Sequence, residues 1–390
     1  MSEWQNFKLR EVGTLQRGRS RHRPRYAFHL FNGPYPFIQT GEVREARKYV
    51  STFENTYSEA GLAQSKLWPK GTLCITIAAN IAELAILGFD ACFPDSVLGF
   101  IPDETRSDLD FVYYTLTHFQ KQLKHIGEGS VQDNINLGTF EDIEFPFPSL
   151  TEQKAIASVL SSLDDKIDLL HRQNKTLEAM AETLFRQWFI EEAKEDWEEC
   201  ELSEFGHIIC GKTPSKSNAN YFGNDVPFLK IPDMHGRVFI SKTTDNLSQL
   251  GALSQSKKMV PQNSICVSCI ATVGLVCITD CDLQTNQQIN SIVPNELKFL
   301  YYLYEVMLDM YDELHNLASG GTATLNLNTG DFSRIKIVKP DDVTLLQFNN
   351  AVIPLFTKIR FNGSQIQTLE QLRDMLLPKL MSGEVRVQYQ

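Results

Sequence analysis

The stretch TEQKAIASVLSSLDDKIDLLHRQNKTLEAMAETLFRQWFIEE, from Thr151 to Glu192, contains neither proline nor glycine. Ser149-Leu150-Thr151-Glu152 has the form of a capping box, with Pro146 and Pro148 just upstream. Ile156, Leu160, Leu163, Ile167, Leu170, Asn174, Leu177, Ala181, Leu184 and Trp188 follow one another at alternating spacings of four and three. That is a coiled-coil seam, apolar except at Asn174. At ~1.5 Å per residue such a helix spans roughly 60 Å. A small globule cannot cover an apolar stripe that long, so a second helix is expected beside it.

The same seam returns near the end of the chain, in Phe348, Val352, Leu355, Ile359, Asn362, Ile366, Leu369, Arg373, Leu376 and Leu380. Pro354 and Gly363 interrupt it, which predicts a kink or a break. Packed antiparallel, the seams would cover each other and set Asn174 against Asn362. Leu169, Phe185, Phe189 and Ile190 lie off the seam. They pack on the chain's own globules or, as expected here, bind the helices of a partner.

Outward from the helices, the chain repeats itself at an interval of roughly 192 residues. Trp4, Gly13 and Gly18 return as Trp197, Gly206 and Gly211, and Pro36-Phe37 as Pro227-Phe228. Gly138, Phe140, Ile143 and Pro148 return as Gly330, Phe332, Ile335 and Pro340. The period is too long for a solenoid and describes a duplicated domain. The expected order is a globule over 1–148, a helix over 149–194, a globule over 195–340 and a helix over 341–390. Each globule reads as mixed α and β. Strand-like runs occupy Tyr35–Gln39, Thr72–Ala78, Val226–Ile231, Ser264–Ile270 and Leu275–Thr279. Helix-like runs occupy Phe111–Lys124 and Phe299–Asn316, and a glycine-containing loop follows each (Gly127–Gln132, Ser319–Thr324). The fold class is therefore α+β: two mixed α/β domains joined by two long helices packed as an antiparallel coiled coil, duplicated about a pseudo-twofold.

The chain has 390 residues, 42% of them apolar, and a formal net charge of −11. Residues 1–50 carry ten Lys and Arg against four Asp and Glu, a local +6 that leaves −17 for the rest. Arg17, Arg19, Arg21, Arg23 and Arg25 alternate within this region. Attraction to phosphate follows the local field, so the total does not exclude nucleic acid. A solvated basic loop is the plainer reading, and the acidic remainder would also suit protein partners. No apolar run is long enough to span a bilayer, and no basic-plus-apolar leader opens the chain. A cytoplasmic protein with reduced thiols is expected.

Three patterns suggest chemistry and are set aside. Gly206-His-Ile-Ile-Cys-Gly211-Lys212-Thr213 matches a phosphate-binding loop, but Pro214 stands where that loop needs a helix to begin. A strand ending in a turn fits better. Cys266, Cys269, Cys277 and Cys281 could suggest a zinc site, but the middle gap is short for a zinc ribbon and the run is apolar and strand-like, so they read as core thiols. No methyltransferase, hydrolase or nuclease motif recurs in both copies. A function shared by both copies is therefore binding.

Pro148-Ser-Leu-Thr-Glu-Gln-Lys-Ala-Ile156, followed by Leu160, Asp164 and Ile167, resembles the helix-opening motif of the DNA specificity subunits of type I restriction–modification enzymes. Gly129-Ser130 with Gln132, Gly211 with Thr213-Pro214, and Thr285-Asn286-Gln287 are similar to that family as well. The second helix departs from the pattern, opening on Pro340-Asp-Asp-Val-Thr without Glu-Gln, and the first copy has Phe93-Pro-Asp-Ser96 in place of Thr-Asn-Gln. The resemblance implies a non-catalytic subunit whose two target-recognition domains each read one half of a bipartite double-stranded DNA site in the major groove. The helices would set the spacer length and dock two methylation subunits, which bring S-adenosylmethionine, and motor-nuclease subunits would join them. No cofactor or metal is expected in this chain. Candidate DNA contacts are Arg19, Arg21, Arg23 and Gln132 in the first domain. In the second they are Lys212, Thr213, Lys230, Arg237, Asn286, Gln287 and Thr322. Candidate partner contacts are Leu169, Phe185, Phe189 and Ile190. A two-headed adaptor that binds proteins and no DNA is the alternative.

Overall fold

A computed structural model describes residues 4–78, 80–128, 138, 143–319 and 325–387. The chain forms two compact units, Met1–Asp168 with Gln367–Gln390, and Leu169–Ile366. Gln132 and Thr322 lie outside the described residues.

The first unit contains β1 (Gln5–Lys8), β2 (Gly13–Arg17), β3 (Phe31–Phe37), β4 (Tyr49–Val50), β5 (Asn55–Tyr57), β6 (Leu67–Trp68), β7 (Leu73–Thr76), β8 (Leu84–Leu87), β9 (Ala91–Cys92), β10 (Val97–Pro102) and β11 (Glu144–Phe147). They build a five-stranded sheet in the order β2-β10-β7-β8-β4, a four-stranded sheet β5-β3-β9-β6 and a pair β1-β11. The second unit contains β12 (Glu198–Glu201), β13 (Gly206–Cys210), β14 (Phe222–Leu229), β15 (Phe239–Ile240), β16 (Asn246–Leu247), β17 (Met259–Val260), β18 (Ile265–Ile270), β19 (Thr272–Thr279), β20 (Leu283–Thr285), β21 (Ile289–Pro294) and β22 (Lys336–Lys339). Their orders are β13-β21-β18-β19-β15, β16-β14-β20-β17 and β12-β22, the first unit's arrangement strand for strand.

The middle strand of each five-stranded sheet is buried on both faces, so its residues alternate between two cores. Leu73 and Ile75 join the core shared with the helices, whereas Cys74 joins the core facing Trp68 of the four-stranded sheet. Ile265 and Val267 alternate with Cys266 in the same way. Cys266 sits directly across from Cys277, and burial raises the Cys277 thiol well above its ordinary value. These are apolar core positions, as their sequence context suggested.

The first long helix runs Leu150–Arg186 and ends in a π-helical turn, Gln187–Glu191. The Ser149 hydroxyl accepts the Glu152 N–H at 3.3 Å. Gln153 is buried and fully used: its amide donates to the carbonyls of Arg106 (3.1 Å) and Pro148 (3.0 Å), and its oxygen accepts the Asp108 N–H at 3.0 Å. The helix-opening motif thus splices the helix start to the turn before the preceding helix, Leu109–Glu128. In the second copy Asp341 caps Thr344 at 2.9 Å, and hydrogen bonds from Lys194 and the Thr344 N–H hold its carboxyl far below its usual value.

Within each unit the two long helices run antiparallel. In the first, Glu152 lies 3.8 Å from Arg386 and Asp164 pairs with Arg373 at 2.9 Å. In the second, Asn362 donates to Asn174 at 2.8 Å and the Trp188 ring lies 6.0 Å from that of Phe348. The expected asparagine pair is present, with Asn362 fully buried. Of the kink or break expected in the second helix, the break is absent: the helix is continuous over Asp342–Met381. Pro354 faces solvent, where water can serve the carbonyl it leaves unpaired, while buried Val352, Phe356 and Ile359 hold the helix in place on either side. Phe185 and Phe189 also depart from expectation. Both are buried in the second unit's own core, Phe189 against Tyr302 (4.9 Å) and Phe348 (5.0 Å), and so cannot meet a partner. Leu169 and Ile190 remain exposed, at 39% and 45%. Among the described residues no helix is long and apolar enough to cross a membrane.

Candidate nucleic-acid interface

In each unit the chain leaves the first strand of the five-stranded sheet through a glycine that touches the turn after a buried strand of the four-stranded sheet. A Cβ on Gly18 would lie 2.2 Å from the Pro94 carbonyl oxygen; one on Gly211 would lie 2.0 Å from that of Asn286. Only glycine permits that approach. The next residue is then pinned twice. The Arg19 N–H donates to Phe93 O at 3.1 Å, and the Ser65 hydroxyl donates to Arg19 O at 2.7 Å. In the second copy the Lys212 N–H donates to Thr285 O at 2.9 Å, and the Gln255 amide donates to Lys212 O at 2.7 Å. One latch is therefore built from different side chains. Gly206–Cys210 is a strand, and no helix begins at Thr213.

In the first unit the Arg19 guanidinium turns inward onto the Ser65 carbonyl, so it serves the latch. Arg21 is exposed, and its backbone N–H is held by Gln64 Oε1 at 2.6 Å. The Arg23 guanidinium folds back on the carbonyls of Ser20 (2.8 Å) and His22 (2.9 Å). Of the three expected arginines, Arg21 is the one presented outward.

In the second unit Lys212, Thr213, Lys230, Asn286 and Gln287 collect at one edge, where the parallel pair β14 and β20 ends. The Thr213 hydroxyl donates to Gln287 Oε1 at 2.7 Å. Lys212 and Gln287 are exposed, and Lys230 is paired with Asp245. Asn286 is 7% exposed and uses both side-chain atoms locally: its amide donates to Gln288 Oε1 (2.9 Å) and its oxygen accepts the Gln288 N–H (3.1 Å). It shapes the turn, and little of its side chain faces outward. Arg237 is exposed elsewhere, donating to Lys242 O at 3.4 Å.

Sequence reasoning missed the first unit's matching edge. Phe37 pairs in parallel with Cys92, as Phe228 does with Gln284, which puts Gln39 where the second copy has Lys230 and Asp95 where it has Gln287. Asp95 pairs with Arg25 at 2.8 Å. Tyr26 and Phe28, in the same basic segment, are 73% and 84% exposed. The repeat had already set Phe93-Pro-Asp-Ser96 against Thr285-Asn286-Gln287; carried on from the Pro36-Phe37 match it would have found Gln39 as well.

Comparisons with known proteins agree with this layout. Residues 1–179 and 194–344 match the family described as the type I restriction modification DNA specificity domain. The chain is 32% identical to the HindI type I restriction enzyme specificity subunit of Haemophilus influenzae, over 99% of this chain and all of the relative. It is 28% identical to the MjaIX specificity subunit of Methanocaldococcus jannaschii, over 99% of this chain and 94% of the relative. The solved S subunit of a type I restriction–modification system from M. genitalium superposes with a TM-score of 0.62 at 16% identity, covering 97% of this chain and 96% of that one.

Proposed function

The chain belongs to the type I restriction–modification DNA specificity family, and from that premise we propose that its two units read the two halves of one bipartite DNA target. The observation that carries this is the pairing of identical sheet order with unlike edge residues: Arg21, Gln39 and Asp95 in one copy, Lys212, Lys230 and Gln287 in the other. Equal scaffolds place the edges equivalently. Unlike side chains give each edge its own donors and acceptors for base edges, with the basic residues also meeting phosphate.

The chain catalyses nothing itself in this reading. The unbroken helices Leu150–Arg186 and Asp342–Met381 set the interval between the half-sites. Two methylation subunits dock on the helices and supply S-adenosylmethionine for adenine methylation, and motor-nuclease subunits complete a cytoplasmic complex. Exposed Leu169 and Ile190 are the remaining partner contacts from the sequence reading. Sequencing methylated adenines in the host genome with and without the gene tests the proposal. A split motif that vanishes with the gene supports it; an unchanged methylation pattern rejects it. Replacing residues 195–340 with those of a relative of different specificity should change one half of the motif and leave the other.

A further inference from the structure

Phe28 opens a short 3-10 helix, Phe28–Leu30, and is 84% exposed. Its backbone is firmly held. Leu30 is buried in a cluster with Phe37, Tyr57 and Cys92; the Ser58 hydroxyl donates to His29 O at 2.7 Å and the Ser58 N–H to Leu30 O at 2.8 Å. Neighbouring Tyr26 is engaged, stacked on Phe31 at 6.3 Å, whereas among the described residues no ring packs on Phe28. Leaving a phenylalanine in water forgoes roughly 1.5–3 kcal/mol of burial.

The second copy shows that folding does not require the ring. There the matching 3-10 helix is Ala219–Tyr221, held by the same two bonds from Ser248, to Asn220 O at 2.5 Å and to Tyr221 O at 3.1 Å. Ala219 stands in the place of Phe28. The ring is therefore an addition to the first copy alone, and it follows within seven residues of Arg21, Arg23 and Arg25 in the chain's basic segment, with Arg21 presented outward and Arg25 paired with Asp95, a sequence setting matched to a polyanion. In the major groove the base edges show hydrogen-bonding groups and a single apolar one, the thymine 5-methyl.

We propose that Phe28 is a specificity residue that reads a thymine in the first half-site by contact with its 5-methyl group. This rests on the reading that the first unit's basic edge faces DNA. The rigid backbone beneath the ring means little ordering is needed on binding.

The test uses the full chain and duplexes that it selects from a random-sequence library. Each thymine in a selected duplex is replaced in turn by deoxyuridine, which removes only the methyl. The wild-type chain should lose about five- to tenfold in affinity at one position. Phe28→Ala should bind the thymine duplex that much more weakly, be indifferent to deoxyuridine there, and keep the wild-type salt slope. Phe28→Leu should retain part of the methyl preference. If Phe28→Ala binds like wild type, or if no deoxyuridine substitution matters, the inference is overturned while the DNA-reading function stands. If the wild-type chain selects no duplex, both fall.

Discussion

Beside the apolar core that each copy's sheet shares with the helices, the two copies add different contacts. In the first unit the junction is polar. Lys48, 4% exposed, reaches Ser161 of the first long helix at 2.9 Å and pairs with Asp110 at 3.0 Å. The Tyr114 hydroxyl donates to Asp164 at 2.5 Å, and Asp164 also binds Arg373 of the second helix. In the second unit the junction is aromatic. Phe356, fully buried, stacks on Tyr301 at 4.2 Å and meets Tyr304 edge-on at 5.5 Å. Ion pairs join it as well: Arg360 of the helix pairs with Asp280 of the globule at 3.1 Å, with the guanidinium 4.5 Å from the Phe239 ring, and Lys298 of the globule pairs with Asp342 of the helix at 2.8 Å. Duplication preserved the backbone while each junction found its own chemistry. Residues at equivalent positions are consequently not interchangeable between the copies.

Substitutions sharpen that contrast. Phe356→Ala empties the aromatic junction and should destabilise the protein by roughly 3–5 kcal/mol in denaturant titration. A loss below about 1 kcal/mol would mean that the stack is dispensable.

Glu305→Gln tests a group that the first copy lacks. Burial, and then the nearby carboxylates of Glu182, Glu178 and Asp309, raise the Glu305 carboxyl from 4.5 to about 8; Arg186 pairs with Asp309 at 3.5 Å. The folded chain therefore keeps a proton that the unfolded chain releases, and stability falls as pH rises from about 4.5 to about 8. Glu305→Gln should remove that decline, gaining about 4 kcal/mol over wild type at pH 8 relative to pH 4.5. Equal pH profiles for the two proteins would place the carboxyl in water.

At the polar junction, Lys48→Met removes the cation and leaves Asp110 partly buried, for an expected loss of roughly 2 kcal/mol. Adding Asp110→Asn should recover part of it, and a double variant worse than the single one would contradict the pairing. The smallest effect is at the edges. Arg21→Ala and Lys212→Ala should each weaken duplex binding only a few-fold while lowering the salt-dependence slope by about 1. An unchanged slope removes that residue from the interface.

The features legible in the sequence were those governed by periodicity or repetition. The seam, the Asn174–Asn362 pair, the strand character of Gly206–Cys210 and the apolar setting of Cys266 and Cys277 follow from spacing alone. What escaped depended on contacts distant in sequence. Pro354 predicts a break by local propensity, yet packing of Val352 and Phe356 overrides it. Phe185 and Phe189 show an apolar stripe without showing that Tyr302 and Phe348 cover it. Arg19 and Asn286 looked like free loop side chains, but the Ser65 carbonyl accepts the Arg19 guanidinium and Gln288 bonds Asn286. Leu84–Leu87 was missed as a strand because a short apolar run has no period to read.

The central claim is that the helix pair fixes the interval between two independently read half-sites. Seven residues inserted after Leu177, and seven more after Lys358 on the opposing helix, keep both seams in phase and lengthen the pair by about 10 Å. The methylated motif made by a complex carrying this chain should keep both half-sites and gain about three base pairs between them. Altered half-sites, or an unchanged spacer, would contradict the account.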